Sequence, residues 1–189
     1  MSGASRWDDK YRTAGLAPAL RVEPLLKRYK NTIAQLSQPR TALDVAAGAC
    51  HAAVYLATQG FDVTAVDCSA VGLALGQKLA EREGVSISTI EADLGIGDLP
   101  AGPWSLVCCF LYLNRDLLGP MAAILAPGGL LFYSTFNVHH LNKAPAFNPL
   151  YLLQPGELAE HFSMLDVLTL SDGDDPKENA SWIAARRPA

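Results

Sequence analysis

Two residues stand where this sequence could hold a nucleoside. Asp67 ends the apolar run VTAV, and a carboxylate at a strand tip can accept hydrogen bonds from both hydroxyls of a ribose. Gly48 sits in the small-residue run AAGAC. With no Cβ it lets the backbone approach a ligand to van der Waals distance. The elements that must position this pair are legible around them. Leu43 and Val45 supply a buried strand, with Asp44 between them. Good helix formers over 49–58 follow, closed by Gly60, and Val63, Ala65 and Val66 make a second strand. Apolar strands flanking a helix form a βαβ unit with parallel strands buried on both faces. The helix N-terminus then faces the acid at the next strand's tip, a place for an anionic or nucleoside ligand.

The remaining chemistry is scattered. Trp7, Lys10 and Tyr11 lie in a charged N-terminal segment, and Tyr112 and Arg115 follow a long apolar run. His139 and His140 fall in the irregular, proline-containing stretch 136–155, which is long enough to be a lid or binding segment. His51 and His161 fall on expected helices and are read as structural. Four cysteines, Cys50, Cys68, Cys108 and Cys109, show no CxxC spacing, so reduced thiols in a cytoplasmic protein and no metal site are expected.

The chain has 189 residues, enough for one ordinary domain. Its net charge of −4 argues against a nucleic-acid groove. No apolar run approaches the roughly 20 residues of a membrane span. The N-terminal MSGASRWDDKYR has charges and no apolar centre, so it does not read as a secretory signal.

In order, the pattern predicts an amphipathic helix from about Pro18 to Leu36, with Pro24 restarting or kinking it. After the βαβ unit, Ser69 caps a helix over 70–83 that Gly84 ends. A third strand covers 85–91, a fourth and central one 104–113, a helix 115–125, and a fifth strand 130–135 after Pro127-Gly128-Gly129. A short helix over 155–162 and strands over 165–170 and 181–185 complete the chain. SDGDDPKENA between the last two strands lacks a glycine and a final glutamate at the offsets of a calcium loop and reads as a solvated hairpin turn.

LDVAAG, Asp67 after VTAV, the ADL of 92–94, the apolar strand 105–111 and the LAPGGLL of 125–131 occur in order. Together they resemble the class I S-adenosylmethionine-dependent methyltransferases, from about Tyr29 to the C-terminus. The resemblance implies an α/β fold: a single Rossmann-like, doubly wound seven-stranded sheet of order 3-2-1-4-5-7-6, strand 7 antiparallel, with helices on both faces. It divides one domain into an N-terminal helical flap (1–38), a cofactor-binding core (40–135), a substrate lid (136–160) and C-terminal strands (161–189). WDDKY, LYLNR and NPLYLLQPGEL are similar to a small bacterial subgroup near the tellurite-resistance methyltransferases, whose analogy suggests sulfur, selenium or tellurium acceptors.

The implied cofactor is S-adenosyl-L-methionine, converted to S-adenosyl-L-homocysteine as a methyl group passes by in-line displacement to a small-molecule acceptor. By the same resemblance the turn carrying Ala46 and Gly48 passes beneath its methionine part, and Asp67 holds the ribose. Asp93 and the Leu94 N–H meet the adenine, Cys68 lines its face, and Phe110 and Leu111 lie by the methionine. Asp44 orients the amino group, and Trp7, Lys10 and Tyr11 fold over as a flap. Alignment and exclusion of water supply most of such an acceleration, so a base is optional. His139, His140, Tyr112 and Arg115 are the candidates for catalysis or acceptor binding. Cys50 takes the family's third glycine position. It is expected to narrow the pocket at a cost of about 1–2 kcal/mol or to be acidified by the helix N-terminus. Alanine at position 46 and cysteine at position 50, against the family's glycines, keep open a degenerate cofactor-binding protein without turnover. A NAD-dependent oxidoreductase is the other alternative, against which G-x-G-x-x-G is missing. The Asn/Asp-Pro-Pro-Tyr/Phe tetrad of N-methyltransferases is absent after the fourth strand. The expected partner is a small molecule, with neither nucleic acid nor membrane, for a monomer or homodimer.

Overall fold

A computed structural model describes residues 3–17, 19–95 and 97–189. Met1 and Ser2 of the expected flap, Pro18 at the expected helix start, and Ile96 in the loop before the central strand lie outside the described residues. The N-terminal segment forms helix α1 (Gly3–Ala14). The expected helix to Leu36 is shorter and divided. Residues 19–23 are not helical, Pro24 opens α2 (Pro24–Arg28), and Tyr29 separates it from α3 (Lys30–Ala34). Proline fits the first turn, where its missing N–H has no helical partner to lose.

The rest alternates as the pattern predicts: β1 (Thr41–Val45), α4 (His51–Thr58), β2 (Asp62–Asp67), α5 (Ala70–Arg82), β3 (Ser88–Glu91), β4 (Trp104–Phe110), α6 (Arg115–Ala123), β5 (Leu125–Phe136), α7 (Glu157–His161), β6 (Asp166–Ser171) and β7 (Ala180–Arg186). The seven strands form one sheet of order β3-β2-β1-β4-β5-β7-β6. The first five run parallel, and β7 is antiparallel to both neighbours. Strand β5 starts five residues earlier than expected. Pro127-Gly128-Gly129 stays within it as a kink at Gly128 (φ 73°), whose N–H bonds the Arg187 carbonyl.

Period-two alternation sorts the strands' side chains between two cores. Ala42, Leu106, Cys108, Leu130 and Phe132 face the layer that holds Leu26, Ile33, Val54, Leu56 and Leu79. Leu43, Val45, Val107, Cys109, Leu131 and Tyr133 face Leu118, Met121, Leu158 and Phe162. Each fully buried Leu or Phe contributes about 1.5–3 kcal/mol, the same order as the cost of ordering it. The parallel strands all end on one edge of the sheet, and the loops there carry the residues singled out above.

The turn before β7 differs from its expected character. Residues 174–178 are exposed, but Asp172 is buried. Its carboxylate accepts the N–H groups of Leu158 (3.1 Å) and Ala159 (2.9 Å), because the N-cap of α7 is Gly156, which has no side chain to do so. Asp172→Ala should therefore lower unfolding free energy by about 1–3 kcal/mol, read as an earlier urea midpoint with an unchanged m-value.

Candidate active site

The turn between β1 and α4 alternates into the left-handed region. Ala46 (φ 56°), Gly48 (φ 54°) and Cys50 (φ 57°) all have positive φ. These are the three positions where the resembling family most often has glycine, and the reason is conformational. An L-residue there is strained by about 1–2 kcal/mol. Two carboxylates hold the turn in place. Asp67 accepts the Gly48 N–H through Oδ2 and the Ser69 N–H through Oδ1, both at 2.8 Å. Asp44, beneath, accepts the N–H of Ala53 at 2.9 Å and a long bond from the Cys108 thiol. Ala53 is in the first turn of α4, and Cys50 at the N-cap gives it no side-chain bond. Asp44 thus caps α4 from the neighbouring strand, and burial pushes its pKa up to about 7. Each Asp44 oxygen thus already carries one protein donor, as each Asp67 oxygen does.

Cys50 is fully buried and does not line the cleft. Its thiol donates to the Gly48 carbonyl and packs against Gly76 of α5, where a Cβ would collide with it. Burial, with Asp44 and Asp67 nearby, drives its pKa well up. Both expectations for Cys50 therefore fail, since its side chain turns away from the pocket and the thiol is held neutral.

Helix α1 covers the turn. Asp8 accepts from the Ser69 hydroxyl (2.6 Å) and the Val71 N–H (3.2 Å), docking α1 on the start of α5. Tyr11 then reaches Gly48, where a Cβ would strike its hydroxyl, while a Cβ at Gly72 would come within 3.0 Å of its ring. Burial and the Asp67 charge raise the phenol's pKa, so it stays protonated. Trp7 stacks on Tyr11 with centroids 6.1 Å apart, and Lys10 Nζ lies 4.1 Å from the Trp7 ring centroid.

These residues surround a cleft of about 410 Å³. Of the residues expected at the cofactor, Trp7, Tyr11, Asp44, Ala46, Gly48, Asp67, Cys68, Asp93, Leu94, Phe110 and Leu111 all line it, with Lys10 and Tyr112. Asp93 closes an Asx turn on the Gly95 N–H (2.9 Å), and the Leu94 carbonyl is fixed by Asn114 Nδ2 (3.0 Å). Leu111 is strained (φ 59°) and 61% exposed at the end of the central strand, a conformation that large apolar residues rarely adopt outside functional sites.

The other catalytic candidates are elsewhere. Arg115 bonds Glu157 through two nitrogens and the carbonyls of Leu150 (3.0 Å) and Leu152 (2.9 Å), so its guanidinium is already occupied. His139 Nε2 lies 2.9 Å from the Gly173 carbonyl. His140 stacks on Phe136 at 3.9 Å and meets Asn179 at 3.1 Å. None of the three lines the cleft. Tyr112 does, with burial pushing its pKa up to about 12, which leaves it a poor base near neutrality. Sequence reasoning missed Asp8, Arg21, Glu23 and the cleft position of His51, whose Nδ1 accepts the Arg21 N–H at 3.1 Å. The doubled acid in WDDKY was the signal available for Asp8. Arg21 and Glu23 fell inside the stretch read as one amphipathic helix, and His51 on a helix read as structural, so neither pattern pointed to the cleft.

Comparison with known proteins agrees with this geometry. Residues 42–129 match the family described as a methyltransferase domain. The chain carries a class I methyltransferase domain. The chain is 30% identical over 143 residues to a ubiquinone biosynthesis O-methyltransferase of Pectobacterium atrosepticum, covering 71% of this chain and 57% of that protein. The chain therefore spans little more than half the length of this relative. Among solved structures, TehB from Haemophilus influenzae matches with a TM-score of 0.68 at 17% identity, over 97% of this chain and 66% of that one. Magnesium protoporphyrin IX methyltransferase from Synechocystis PCC 6803, solved with bound SAH, matches with a TM-score of 0.65 at 15% identity, over 97% and 94%. Among the described residues of the methyltransferase domain no helix is long and apolar enough to cross a membrane.

Two outcomes follow for the methyltransferase domain in solution. In native protein treated with iodoacetamide, mass spectrometry should find Cys68 labelled first, with Cys50, Cys108 and Cys109 protected until unfolding, because only Cys68 is not buried. Asp44 takes up a proton in the folded state up to about pH 7 but only to about 3.9 when unfolded. Its contribution is therefore fully present below pH ~4 and is lost as pH rises to ~7, by up to about 4 kcal/mol. Asp44→Asn should flatten that part of the stability profile, measured by denaturant titration at pH 5 and pH 8.

Proposed function

We propose that the cleft binds S-adenosylmethionine and that the protein transfers its methyl group to a small-molecule acceptor. The observation that carries the reading is the Asp67–Gly48 pair. Each Asp67 oxygen accepts one backbone N–H, which leaves one lone-pair direction on each for a ribose hydroxyl. Gly48, with no Cβ, leaves room that the Tyr11 hydroxyl reaches from the other side. The residues present thus fit the cofactor, and the roughly 410 Å³ of the cleft lies within the range of small-molecule sites.

In this reading Asp67 holds the ribose, and Asp93 faces the adenine amino group. Asn114 fixes the Leu94 peptide by its carbonyl and leaves its N–H for a ring nitrogen. Cys68 lines the adenine side, and Ala46, Phe110 and Leu111 line the methionine side. Trp7 and Tyr11 on α1 close over both and exclude water, which strengthens every polar contact beneath them. When bound, the sulfonium supplies an electrophilic methyl group, whose bond to sulfur breaks with its electron pair as the acceptor's lone pair forms the new bond. Among the tyrosines and histidine of the cleft none is a ready base: Tyr11 and Tyr112 are held protonated, and His51 Nδ1 already accepts a hydrogen bond. Because in-line displacement makes a base optional, an acceptor with its own available lone pair suits this cleft. His139 and His140 support the loop after β5 and take no part in the transfer. Arg115 ties residues 150–157 to the start of α6, and that segment serves as the lid on the acceptor side. With Cys50 turned away from the pocket, Ala46 is the one departure from the glycine pattern that faces the cleft, and its small side chain leaves the space open.

S-adenosylhomocysteine should raise the melting temperature and NAD should not; no shift with S-adenosylhomocysteine would overturn the reading. Asp67→Ala should lower its affinity tenfold or more by calorimetric titration. Radiolabelled methyl should then pass from S-adenosylmethionine into the small-molecule fraction of a bacterial extract.

A further inference from the structure

Glu23 is an acid of the cleft with no partner among the described residues. It lines the cleft with Asp44 and His51 and is partly buried. It stands at the N-cap of α2 but makes no side-chain bond there, and it forms no ion pair among the described residues. Burial raises its pKa. A carboxylate drawn partly out of water without a partner works against folding, so the fold gives no reason for it. Asp44 and Asp67 differ, since both are engaged on backbone N–H groups.

Its place in the sheet says which part of a ligand it meets. Asp67 and Asp93 follow β2 and β3, on the outer side of β1. Glu23 lies on the other side, where its charge is felt by Asp44 on β1 and Cys108 on β4. A nucleoside held at Asp67 with its base toward Asp93 must extend its far end over β1 and β4, toward Glu23. Arg21, two residues before Glu23, also lines the cleft, and its positive charge is felt by His51 at the start of α4. An acid and a base side by side match an amino-acid zwitterion.

We propose that Glu23 holds the α-ammonium of the cofactor's amino-acid end, with Arg21 beside it for the carboxylate. For that ammonium Glu23 offers a carboxylate with no protein donor among the described residues, where Asp44 already carries the Ala53 N–H and the Cys108 thiol. The inference rests on the cofactor reading above and makes Glu23 the residue that separates S-adenosyl amino acids from simpler thionucleosides. A compact, donor-rich ammonium also satisfies a partly desolvated carboxylate better than water at the cleft mouth does.

The test compares S-adenosylhomocysteine with 5′-methylthioadenosine, which keeps the nucleoside and lacks the amino-acid end. Calorimetric titration of Glu23→Gln should show S-adenosylhomocysteine weakened about tenfold or more, with 5′-methylthioadenosine binding as in the wild type. Arg21→Gln should show the same selectivity. The ligand-free Glu23→Gln protein should melt at or above the wild-type temperature, since the substitution removes an unpartnered buried charge. Unchanged S-adenosylhomocysteine affinity in Glu23→Gln would overturn the proposal, as would equal loss for both ligands, which would mark a structural role. A wild type that binds 5′-methylthioadenosine and S-adenosylhomocysteine equally well would overturn it while leaving the nucleoside site intact. A wild type that binds neither would remove the cofactor reading and this inference together.

Discussion

The turn after β1 is held in a conformation its own residues resist, and two buried carboxylates do the holding. Ala46, Gly48 and Cys50 alternate into the left-handed region, and only one of them is glycine. Asp67 fixes the middle of the turn through the Gly48 N–H, and Asp44 fixes its far end through the Ala53 N–H. Because Asp67 also accepts the Ser69 N–H, one side chain sets the β1 turn and the β2 turn relative to each other. The start of α4, the start of α5 and the cleft between them all depend on that bridge. The strain of two non-glycine residues is acceptable because the surrounding contacts over-determine the turn.

A second constraint is how close α5 must come. Gly72 and Gly76 lie one helical turn apart on its inner face. A Cβ at Gly72 would lie 2.8 Å from the Gly48 carbonyl oxygen, and one at Gly76 would run into the Cys50 side chain. With glycine at both, α5 packs directly on the turn and Cys50 fills the space beside Gly76. The same closeness brings Ser69 and Val71 within reach of Asp8, so α1 docks with Tyr11 over Gly48.

The sequence made the sheet legible because strands buried on both faces leave continuous apolar runs, and order and direction followed from the family resemblance. Asp67 and Gly48 were legible because each occupies a chain position, a strand tip and a turn, that itself implies the role. Helix α1 as a flap came only from the resemblance, and its docking was hidden because the anchoring contacts are with Ser69 and Val71, far along the chain. Arg115, His139 and His140 looked available for the same reason. Their partners, Glu157, Gly173 and Asn179, belong to later loops whose positions no local pattern gives. Cys50 was placed at the right position with the wrong direction, since a left-handed φ turns its side chain toward α5. Asp172 read as one more acid in a solvated turn, and only the burial of α7's N-terminus reveals it as a cap.

The later part of the loop between β5 and α7, residues 148–153, is secured chiefly through its main chain. Leu152 and Leu153 are fully buried, Leu153 bonds the Phe136 carbonyl, and Arg115 grips the carbonyls on either side of Tyr151. Between these anchors Leu150 is 75% exposed and Tyr151 54%. Arg115 holds main-chain oxygens, which every amino acid carries, so side chains here can drift without loosening the loop. The turn after β1 has no such freedom, because it depends on particular residues in particular backbone conformations. In the function proposed above, mutation can therefore reshape the acceptor-side lid while the turn stays fixed, and a lineage built on this chain could change what it modifies long before it changes what it consumes.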